Sequence, residues 1–352
     1  MPRGAVRSSL GILSAGVAVV LASCRGEPVG DALPPVPDPE GFAGSFAGTS
    51  NGLVVAGGAH FPDRKPWDGG TKVWTDAVFY LDAPAGRWRR VGRLPRPLGY
   101  GVSAAWSGGV VCAGGSNAGG HFADVFRVTV SGEGSRVDPL PPLPITVANG
   151  CGAIVGHRLF VVGGQEAPAS TEALATAFSL DLSSPDATWR REPPLPGPGR
   201  ILATAAACGA TLYVVGGASL AAGADGKAQR TYLADGYRFR PGAGWDRIAD
   251  LPRPTVAAPS PAPADDRGFW LLGGDDGSHV NFDPPAAHPG FSPAVLRYDA
   301  AANTWTAAGT LPAPRVTVPV VRWADRWVIP GGEVRPGVRS PEVLSFRPPH
   351  GN

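Results

Sequence analysis

The chain has 352 residues, of which 43% are hydrophobic and 10 are tryptophan, so it can bury a sizeable core. Its 50 glycines and 39 prolines fall between strand-like apolar runs and therefore indicate turns. The 31 Lys and Arg nearly balance the 29 Asp and Glu, and no basic run alternates with aromatic residues, which argues against a nucleic-acid partner. A small anion can still be bound by local arginines, whatever the net charge.

The N-terminus resembles a bacterial lipoprotein signal peptide. Two arginines precede the uncharged stretch 8–23, which ends in Leu-Ala-Ser before Cys24. Such an end presents the cysteine for lipid attachment, with cleavage before it. We expect a signal peptide over 1–23, lipidated Cys24 and a linker over 24–32, in an exported periplasmic or outer-membrane protein that meets the membrane only through its lipid. An ordinary secretory signal is the alternative. A spanning anchor is disfavoured, because it needs ~20 apolar residues.

A Gly-Gly pair ends a short apolar run six times along the chain. The pairs are Gly57-Gly58, Gly114-Gly115, Gly163-Gly164, Gly216-Gly217, Gly273-Gly274 and Gly331-Gly332. Their spacings of 57, 49, 53, 57 and 58 residues suit one four-stranded sheet plus loops, as in a propeller blade. The sequence therefore predicts an all-β protein whose residues 33–352 form one six-bladed β-propeller.

Aromatic residues recur after the glycine pairs, each tryptophan followed by Leu-Pro or Pro-Leu-Pro. The pairs are Tyr80 with Trp88, Phe178 with Trp189, and Tyr298 with Trp305. This pattern resembles the Kelch repeat, and we expect these side chains to pack between blades. In the fourth unit, the four strands are expected within 201–208, 211–217, 231–240 and 244–254. The last unit ends without a Trp strand, so the segment 33–44 is expected to complete that blade and hide its free edge.

Cysteines and histidines give no sign of a metal site. Cys112, Cys151 and Cys208 each lie in or beside a small apolar run, where a free cysteine behaves as a core residue. An odd number of cysteines does not imply a disulfide framework. No cysteine pair has the spacing of metal ligands, and the six histidines are scattered. We therefore predict neither a metal nor a cofactor.

One turn stands out chemically, in the sixth unit. The segment 331–343, GGEVRPGVRSPEV, places Glu333, Arg335 and Arg339 around a Pro-Gly turn directly after the glycine pair. The loops after the glycine pairs lie on one face of a propeller, beside the loops that join the blades. A carboxylate and two guanidiniums there can combine proton transfer with capture of a carboxylate ligand. A surface ion pair that braces the turn is the alternative.

The segment 331–343 is similar to the active-site turn of the sialic acid mutarotases, or N-acetylneuraminate epimerases. The opening segment 42–74 and HPGFSPAVLRYD (288–299) also resemble this family, and the late position of the Glu turn resembles its cyclically permuted branch. The resemblance implies an isomerase that needs no cofactor and interconverts the α and β anomers of N-acetylneuraminate, with Glu333 and Arg339 as catalytic residues. The family more often has Asn where this chain has His60.

Further substrate contacts are expected at the same face. Arg335 is next to the catalytic pair, Arg200 and Arg315 end inter-blade loops, and Tyr100 and Asn149 begin innermost strands. His60, in the first blade, completes this set of expected substrate-binding residues. For Arg200 and Arg315 the alternative is that each arginine braces neighbouring blades.

A non-catalytic Kelch propeller that binds a glycan or a protein at the cell envelope is the alternative function. It predicts that Glu333 and Arg339 point away from the central pocket or pair only with each other. Sialidases are also six-bladed, but SPDATW (184–189) lacks the glycine of their turn and does not recur. Copper-dependent Kelch oxidases need paired Tyr and His ligands with a cross-linked Cys, which nothing in this chain marks.

Overall fold

The computed structural model describes Met1 and residues 33–347. The predicted signal peptide, Cys24 and the linker fall in 2–32, outside the described residues, as do the last residues of the predicted propeller, 348–352. The described part is β-structure with two short 3-10 helices, Pro66–Asp68 and Pro285–Ala287. Within it, no helix has the length and apolar character to cross a membrane.

The strands form six antiparallel sheets arranged as the blades of a propeller, which confirms the predicted fold. Blade 1 contains β1 (Phe46–Thr49), β2 (Leu53–Ala56), β3 (Ala59–His60), β4 (Val73–Trp74), β5 (Ala77–Leu81) and β6 (Arg89–Arg93). Blade 2 contains β7 (Val102–Trp106), β8 (Gly109–Ala113), β9 (Ser116–Asn117), β10 (Gly120–His121), β11 (Val125–Ser131) and β12 (Gly134–Leu140). Blade 3 contains β13 (Cys151–Val155), β14 (Arg158–Val162), β15 (Ala177–Asp181) and β16 (Arg190–Glu192).

The second half of the chain repeats the arrangement. Blade 4 contains β17 (Thr204–Cys208), β18 (Thr211–Val215), β19 (Ala218–Ala222), β20 (Ala228–Tyr232), β21 (Gly236–Arg240) and β22 (Gly244–Ile248). Blade 5 contains β23 (Ala264–Asp265), β24 (Gly268–Leu272), β25 (Ala294–Asp299) and β26 (Thr304–Thr310). Blade 6 contains β27 (Val321–Trp323), β28 (Arg326–Pro330), β29 (Glu333–Arg335), β30 (Val338–Arg339) and β31 (Val343–Phe346). The first strand of each blade is innermost.

The Gly-Gly pairs are needed where the second strand of each blade meets an inter-blade loop. In blade 1, Gly57 and Gly58 have φ of +62° and +99°, a region that favours glycine. The Gly58 amide donates to the carbonyl oxygen of Leu98 at 2.8 Å. A Cβ on Gly57 would lie 2.2 Å from that oxygen. The pair therefore lets the loop to the next blade pass directly over the strand end.

A closed circle of backbone hydrogen bonds surrounds the central channel. In the segment that leads into each innermost strand, one residue has a left-handed backbone conformation. Its amide donates to the carbonyl oxygen of the equivalent residue in the preceding blade at 2.7 or 2.8 Å. We call these six residues the channel ring: Gly44, Tyr100, Asn149, Leu202, Ala257 and Thr317. The face of the propeller that bears the loops after the Gly-Gly pairs opens at this ring, and we call the opening the mouth.

A second circle of positions is fixed to the channel ring. In every blade, the residue after the Gly-Gly pair forms a two-bond antiparallel bridge with the residue that precedes the ring member. These six positions are Ala59, Ser116, Gln165, Ala218, Asp275 and Glu333. Their backbones are equivalent, so they differ only in the side chain that each blade presents near the mouth.

Six of the seven hydrophobic clusters lie between successive blades, and the seventh lies at the mouth, around Ile201 and Val316. The cluster between blades 6 and 1 combines Leu33 and Val36 from the N-terminal segment with Val328 and Val343 of blade 6. Cys112, Cys151 and Cys208 are buried and free, as predicted, in the other clusters. Burial raises the pKa of the Cys151 thiol to about 12, as expected for a structural cysteine.

The tryptophans that precede Leu-Pro or Pro-Leu-Pro in the repeat link neighbouring blades, as predicted. The Nε1 atoms of Trp88, Trp189 and Trp245 donate at 2.8 Å to the carbonyls of Pro34, Pro141 and Pro193, each in the preceding blade. Trp305 donates in the same way to Ala249 at 3.0 Å. The bond from Trp88 shows that the N-terminal segment occupies the outermost place in blade 6.

Both chain ends build blade 6, which confirms the predicted closure. Leu33 bridges Val343 of β31, and the Val36 amide donates to the carbonyl of Pro341 at 2.8 Å.

In blade 4, the prediction of a single strand over 231–240 is wrong. Thr231 and Tyr232 belong to β20, which pairs with β19 as an extra hairpin, and the third strand of the sheet begins only at Gly236. The Leu233 amide donates to the Gly217 carbonyl, and this bond ends the extra hairpin.

We expect removal of the N-terminal strand to lower the melting temperature sharply. Deleting residues 33–40 removes the buried side chains of Leu33 and Val36 and exposes the edge of β31. Trp245→Phe is a matched control, because it removes one indole hydrogen bond between covalently consecutive blades, worth about 1 kcal/mol. Differential scanning calorimetry measures both, and a deletion variant that melts like the control would contradict the closure.

Candidate functional site

The Glu turn is a short hairpin of blade 6 that leans on the loop of blade 1. Strands β29 and β30 pair with Glu333 opposite Arg339. Gly337 forms the turn with a φ of +79°, and a Cβ there would lie 2.6 Å from the Pro66 ring. The turn thus needs glycine for two reasons, its backbone conformation and the close approach of the 3-10 helix that contains Pro66.

Glu333 is held by one carboxylate oxygen. Its Oε1 accepts a hydrogen bond from the Gly337 amide at 2.6 Å and another from Nη1 of Arg339 at 3.2 Å. The side chain is 15% exposed, so water reaches it only in part. No hydrogen bond or ion pair involves Oε2 within residues 33–347. This oxygen is therefore available for proton exchange with a ligand.

Arg339 joins three blades. Besides its bond to Glu333, it donates from Nη2 to the Tyr100 hydroxyl at 3.4 Å, and its guanidinium lies 4.7 Å from the centre of the Phe61 ring. Its side chain is almost completely buried, and its Nε finds no partner among the described residues. These contacts orient the guanidinium beside the carboxylate and leave it little freedom to reorient.

Two further cations lie close to this pair. Arg335, in β29, has a buried Nε without a hydrogen-bond partner among residues 33–347. Lys72 places its Nζ 5.0 Å from the centre of the Tyr100 ring and 6.0 Å from that of Phe61. The predicted set did not include Lys72 or Phe61. The mouth between blades 6 and 1 is therefore rich in positive charge.

The channel below the ring is too narrow for a sugar. All six ring residues line a cavity of about 60 Å³, together with Ser103 and Ser260 deeper in the channel. Such a volume holds a few water molecules at most. A sugar-sized ligand that enters at the mouth therefore stays above the ring, on the face that carries the loops with Glu333, Arg339 and Lys72.

Gln165 and Asp275 occupy the positions equivalent to Glu333 in blades 3 and 5. Gln165 accepts a hydrogen bond from Nδ2 of Asn149 at 3.1 Å. Asp275 accepts one from the Tyr232 hydroxyl at 2.7 Å. Sequence reasoning missed both, although the position directly after each Gly-Gly pair was a sufficient signal. They add polar groups to the mouth across the channel from Glu333 and beside it.

The long loop of blade 5 packs beside the Glu turn. A Cβ on Gly290 would lie 3.1 Å from the carbonyl oxygen of Val334. His288 is buried in this loop, in ring contact with His279 and Phe282 at 5.7 Å each. Burial lowers the pKa of His288, and His279 reinforces the effect. Burial in this loop therefore favours the neutral form of the His288 imidazole.

His60 lies on the other side of the blade 1 hairpin from Arg339. Its Nδ1 is 3.2 Å from Oδ1 of Asp38, and its ring lies 4.9 Å from that of Phe42. Phe61, the residue directly after this strand, instead meets Arg339. Of these two residues, the geometry brings Phe61, and not the predicted His60, to the Glu turn.

Arg200 and Arg315 have the contacts of structural braces. Arg200 is fully buried and forms two hydrogen bonds of 2.9 Å with the carboxylate of Asp235. Arg315 donates to Glu342 at 2.7 Å and to Ser340 at 3.2 Å. The bracing alternative therefore accounts for both arginines. Arg200 binds within blade 4, and Arg315 holds the residues that follow Arg339.

Tyr100 and Asn149 do line the mouth, since both belong to the channel ring. Tyr100 contacts Arg339 through its hydroxyl and Lys72 through its ring face. Asn149 donates a hydrogen bond to Gln165.

Within the described ranges, no group of three or more His, Cys, Asp or Glu side chains could hold a metal ion. Fold and site together define a six-bladed Kelch-type propeller with a carboxylate–arginine pair at its mouth.

Comparisons with known proteins confirm the predicted resemblance to the sialic acid mutarotases. Residues 31–137 match the family described as N-acetylneuraminate epimerase. Proteins named N-acetylneuraminate epimerase from Salmonella enteritidis and Salmonella typhi are each 42% identical to this chain over 101 residues, which is 25% of this chain and 26% of theirs. One named N-acetylneuraminate epimerase 1 from Escherichia coli O6:H1 is 38% identical over 93 residues, 24% of each chain. The matches span about a quarter of these relatives.

A solved structure, that of YjhT, shares the fold. It superposes with a TM-score of 0.65 over 90% of this chain and 97% of its own, at 16% sequence identity. The family match ends at residue 137, within blade 2, so it includes Phe61, Lys72 and Tyr100 but neither Glu333 nor Arg339. The assignment of Glu333 and Arg339 to the site therefore rests on the geometry of the Glu turn and not on the family match.

We expect Asp235→Asn to destabilise the fold strongly. Burial opposes ionisation of Asp235, but its bonds to Arg200 outweigh this effect and lower its pKa. Because the folded pKa is depressed, the stabilisation is present above the unfolded value near 3.9 and is lost as the pH falls through the folded value. Removing the carboxylate leaves Arg200 buried and uncompensated, which costs about 3–5 kcal/mol.

Denaturant unfolding at pH 7 measures this cost. Asp250→Asn is the matched control, because Asp250 pairs with Arg247 at 2.8 Å on the exposed surface of the same blade. Such a pair is worth less than about 1 kcal/mol. Equal losses for the two variants would show that Arg200 is not a structural brace.

Proposed function

We propose that the protein interconverts the α and β anomers of N-acetylneuraminate. The single observation that supports this proposal best is the convergence of Glu333, Arg339, Tyr100 and Phe61 from three blades on one side of the mouth. The match of residues 31–137 to the N-acetylneuraminate epimerases supports the choice of sugar.

Anomer exchange needs a proton removed from the anomeric hydroxyl and one delivered to the ring oxygen, then the reverse after rotation. One carboxylate can do both if the sugar is held still. Glu333 suits this role, because Oε1 is anchored by the Gly337 amide and by Arg339 while Oε2 has no described protein partner. Oε2 takes the proton from the anomeric hydroxyl and delivers it to the ring oxygen as the bond from that oxygen to the anomeric carbon breaks. After rotation, Oε2 takes the proton back from the new hydroxyl and returns it to the carbonyl oxygen as the ring closes on the other face.

Arg339 supports the reaction in two ways. It fixes the orientation of the Glu333 carboxylate, and its positive charge stabilises negative charge that develops on the sugar oxygens. Arg335 adds a second guanidinium in the same hairpin. Because Arg339 is stacked on Phe61 and bonded to Tyr100, its position does not depend on the ligand.

A non-catalytic binding propeller remains the competing proposal. It requires Glu333 and Arg339 to pair only with each other or to point away from the mouth. Arg339 instead also contacts Tyr100, a member of the channel ring, which favours the catalytic proposal. Binding of the sugar without exchange of its anomers would favour the binding propeller.

Glu333→Gln is expected to remove most of the activity while binding is largely kept. Glutamine preserves the shape and can still accept a hydrogen bond, but it cannot shuttle a proton, so turnover should fall about 10²–10⁴-fold. Proton NMR of freshly released α-N-acetylneuraminate measures the exchange. Glu342→Gln is the control, since Glu342 is an arginine-bound carboxylate of the same blade. A wild-type rate for Glu333→Gln would refute the mechanism.

Arg339→Lys is expected to weaken both turnover and binding. An ammonium cannot bond to Glu333 and to the Tyr100 hydroxyl while it also stacks on Phe61. The same NMR assay gives kcat and KM separately. Unchanged values of kcat and KM would show that neither turnover nor binding depends on the planar guanidinium of Arg339.

We also propose that the protein is an exported lipoprotein attached to the membrane through Cys24. The proposal rests on the sequence of residues 1–27, where an apolar run ends in Leu-Ala-Ser-Cys and polar residues follow. Mass spectrometry of the mature N-terminus should find a diacylglyceryl group on Cys24. Cleavage at another site, with Cys24 unmodified, would be evidence for an ordinary secretory signal.

A further inference from the structure

Lys72 is the one lysine that has no carboxylate partner among residues 33–347. The sequence contains three lysines, of which Lys65 pairs with Glu40 and Lys227 pairs with Asp225. Lys72 has no hydrogen bond or ion pair within residues 33–347, and its described contacts are aromatic. Its charge is therefore not neutralised by a neighbouring acid.

The aromatic contacts place this ammonium at the Glu turn. Its Nζ lies 5.0, 5.5 and 6.0 Å from the ring centres of Tyr100, Trp74 and Phe61. Tyr100 and Phe61 are the same two rings that contact Arg339. Lys72 and Arg339 thus share one aromatic wall of the mouth, with the ammonium held in place by ring faces and left free to bond.

Arg339 is poorly suited to hold a ligand carboxylate as well. One of its terminal nitrogens donates to Glu333 and the other to Tyr100, while its ring-facing side is covered by Phe61. Its Nε has no partner among the described residues, but the side chain is only 4% exposed, so an incoming carboxylate has little access to the N–H groups that remain. A more accessible cation at the same wall is better placed to receive the carboxylate of the substrate.

We propose that Lys72 anchors the carboxylate of the sugar acid and so determines specificity for an acid over a neutral sugar. This proposal rests on the proposed function of the site and names the group that recognises the substrate. Lys72 is on blade 1 and Glu333 on blade 6, so the substrate lies across the junction of the two blades. The anchor holds the sugar while Glu333 exchanges protons with the anomeric oxygen.

The test compares N-acetylneuraminate with its methyl ester, which has the same ring and anomeric hydroxyl but no negative charge. Isothermal titration calorimetry of the purified full chain gives the Kd of each ligand. Exchange NMR between the α and β signals at equilibrium gives the rate. Lys72→Met removes the charge and keeps most of the stem, Lys72→Arg keeps the charge, and Lys65→Met removes a charge from the same loop as a control.

We expect Lys72→Met to weaken binding of the acid about tenfold and to leave binding of the ester within twofold of wild type. Lys72→Arg should retain most of the preference for the acid, and Lys65→Met all of it. A purely structural role for Lys72 would weaken acid and ester alike, which would overturn the proposal. So would an unchanged preference in Lys72→Met.

The outcomes also separate this proposal from the proposed function. If the wild-type protein binds the acid through Lys72 but does not exchange its anomers, the anchor holds and the mutarotase proposal fails. The melting curve shows whether Lys72→Met folds. If it does not, two other measurements test the anchor: the preference of the wild type for the acid over the ester, and the retention of that preference in Lys72→Arg. A wild-type protein without preference for the acid has no anchor.

Discussion

The channel ring is the constraint on which the rest of the structure depends. Six residues with a left-handed backbone conformation are joined from blade to blade by hydrogen bonds of 2.7 or 2.8 Å, which form one circle. The circle fixes the distance of every blade from the axis, and the bridges attached to it fix the residue after each Gly-Gly pair. All six ring amides are used within this circle, so none of them is left to donate to a ligand. Ligand selection therefore depends on side chains carried by the loops.

The six equivalent positions carry five kinds of side chain above this common frame. Two of them, Ala59 and Ala218, carry only a methyl group, whereas the others carry polar groups: Ser116, Gln165, Asp275 and Glu333. Because the backbone bridges are the same in every blade, the chemistry of a position can change without a change in the frame. The asymmetry of the site thus arises from the side chains, from the long loops of blades 1 and 5 and from the short hairpin of blade 6.

The sequence alone allows prediction of the blades and of the Glu turn, because both depend on local patterns. A Gly-Gly pair is needed wherever positive φ and a crossing loop coincide, and Glu333 and Arg339 are neighbours in one hairpin. Contacts between distant segments were not predictable in this way. Arg200 was an expected ligand contact because its partner Asp235 lies 35 residues further along the chain. Lys72 was missed because its aromatic neighbours come from different strands.

The closure of blade 6 has a consequence for how the site comes into existence. Leu33 and Val343, which bridge each other, are 310 positions apart, so their contact forms late among the contacts of a chain otherwise built from sequence-local sheets. The Glu turn lies on one side of this seam, whereas Phe61 and Tyr100 lie on the other. If the six sheets formed but the ring stayed open, the Glu turn would not contact Phe61 and Tyr100. The site therefore forms only when the two ends of the chain are joined in blade 6.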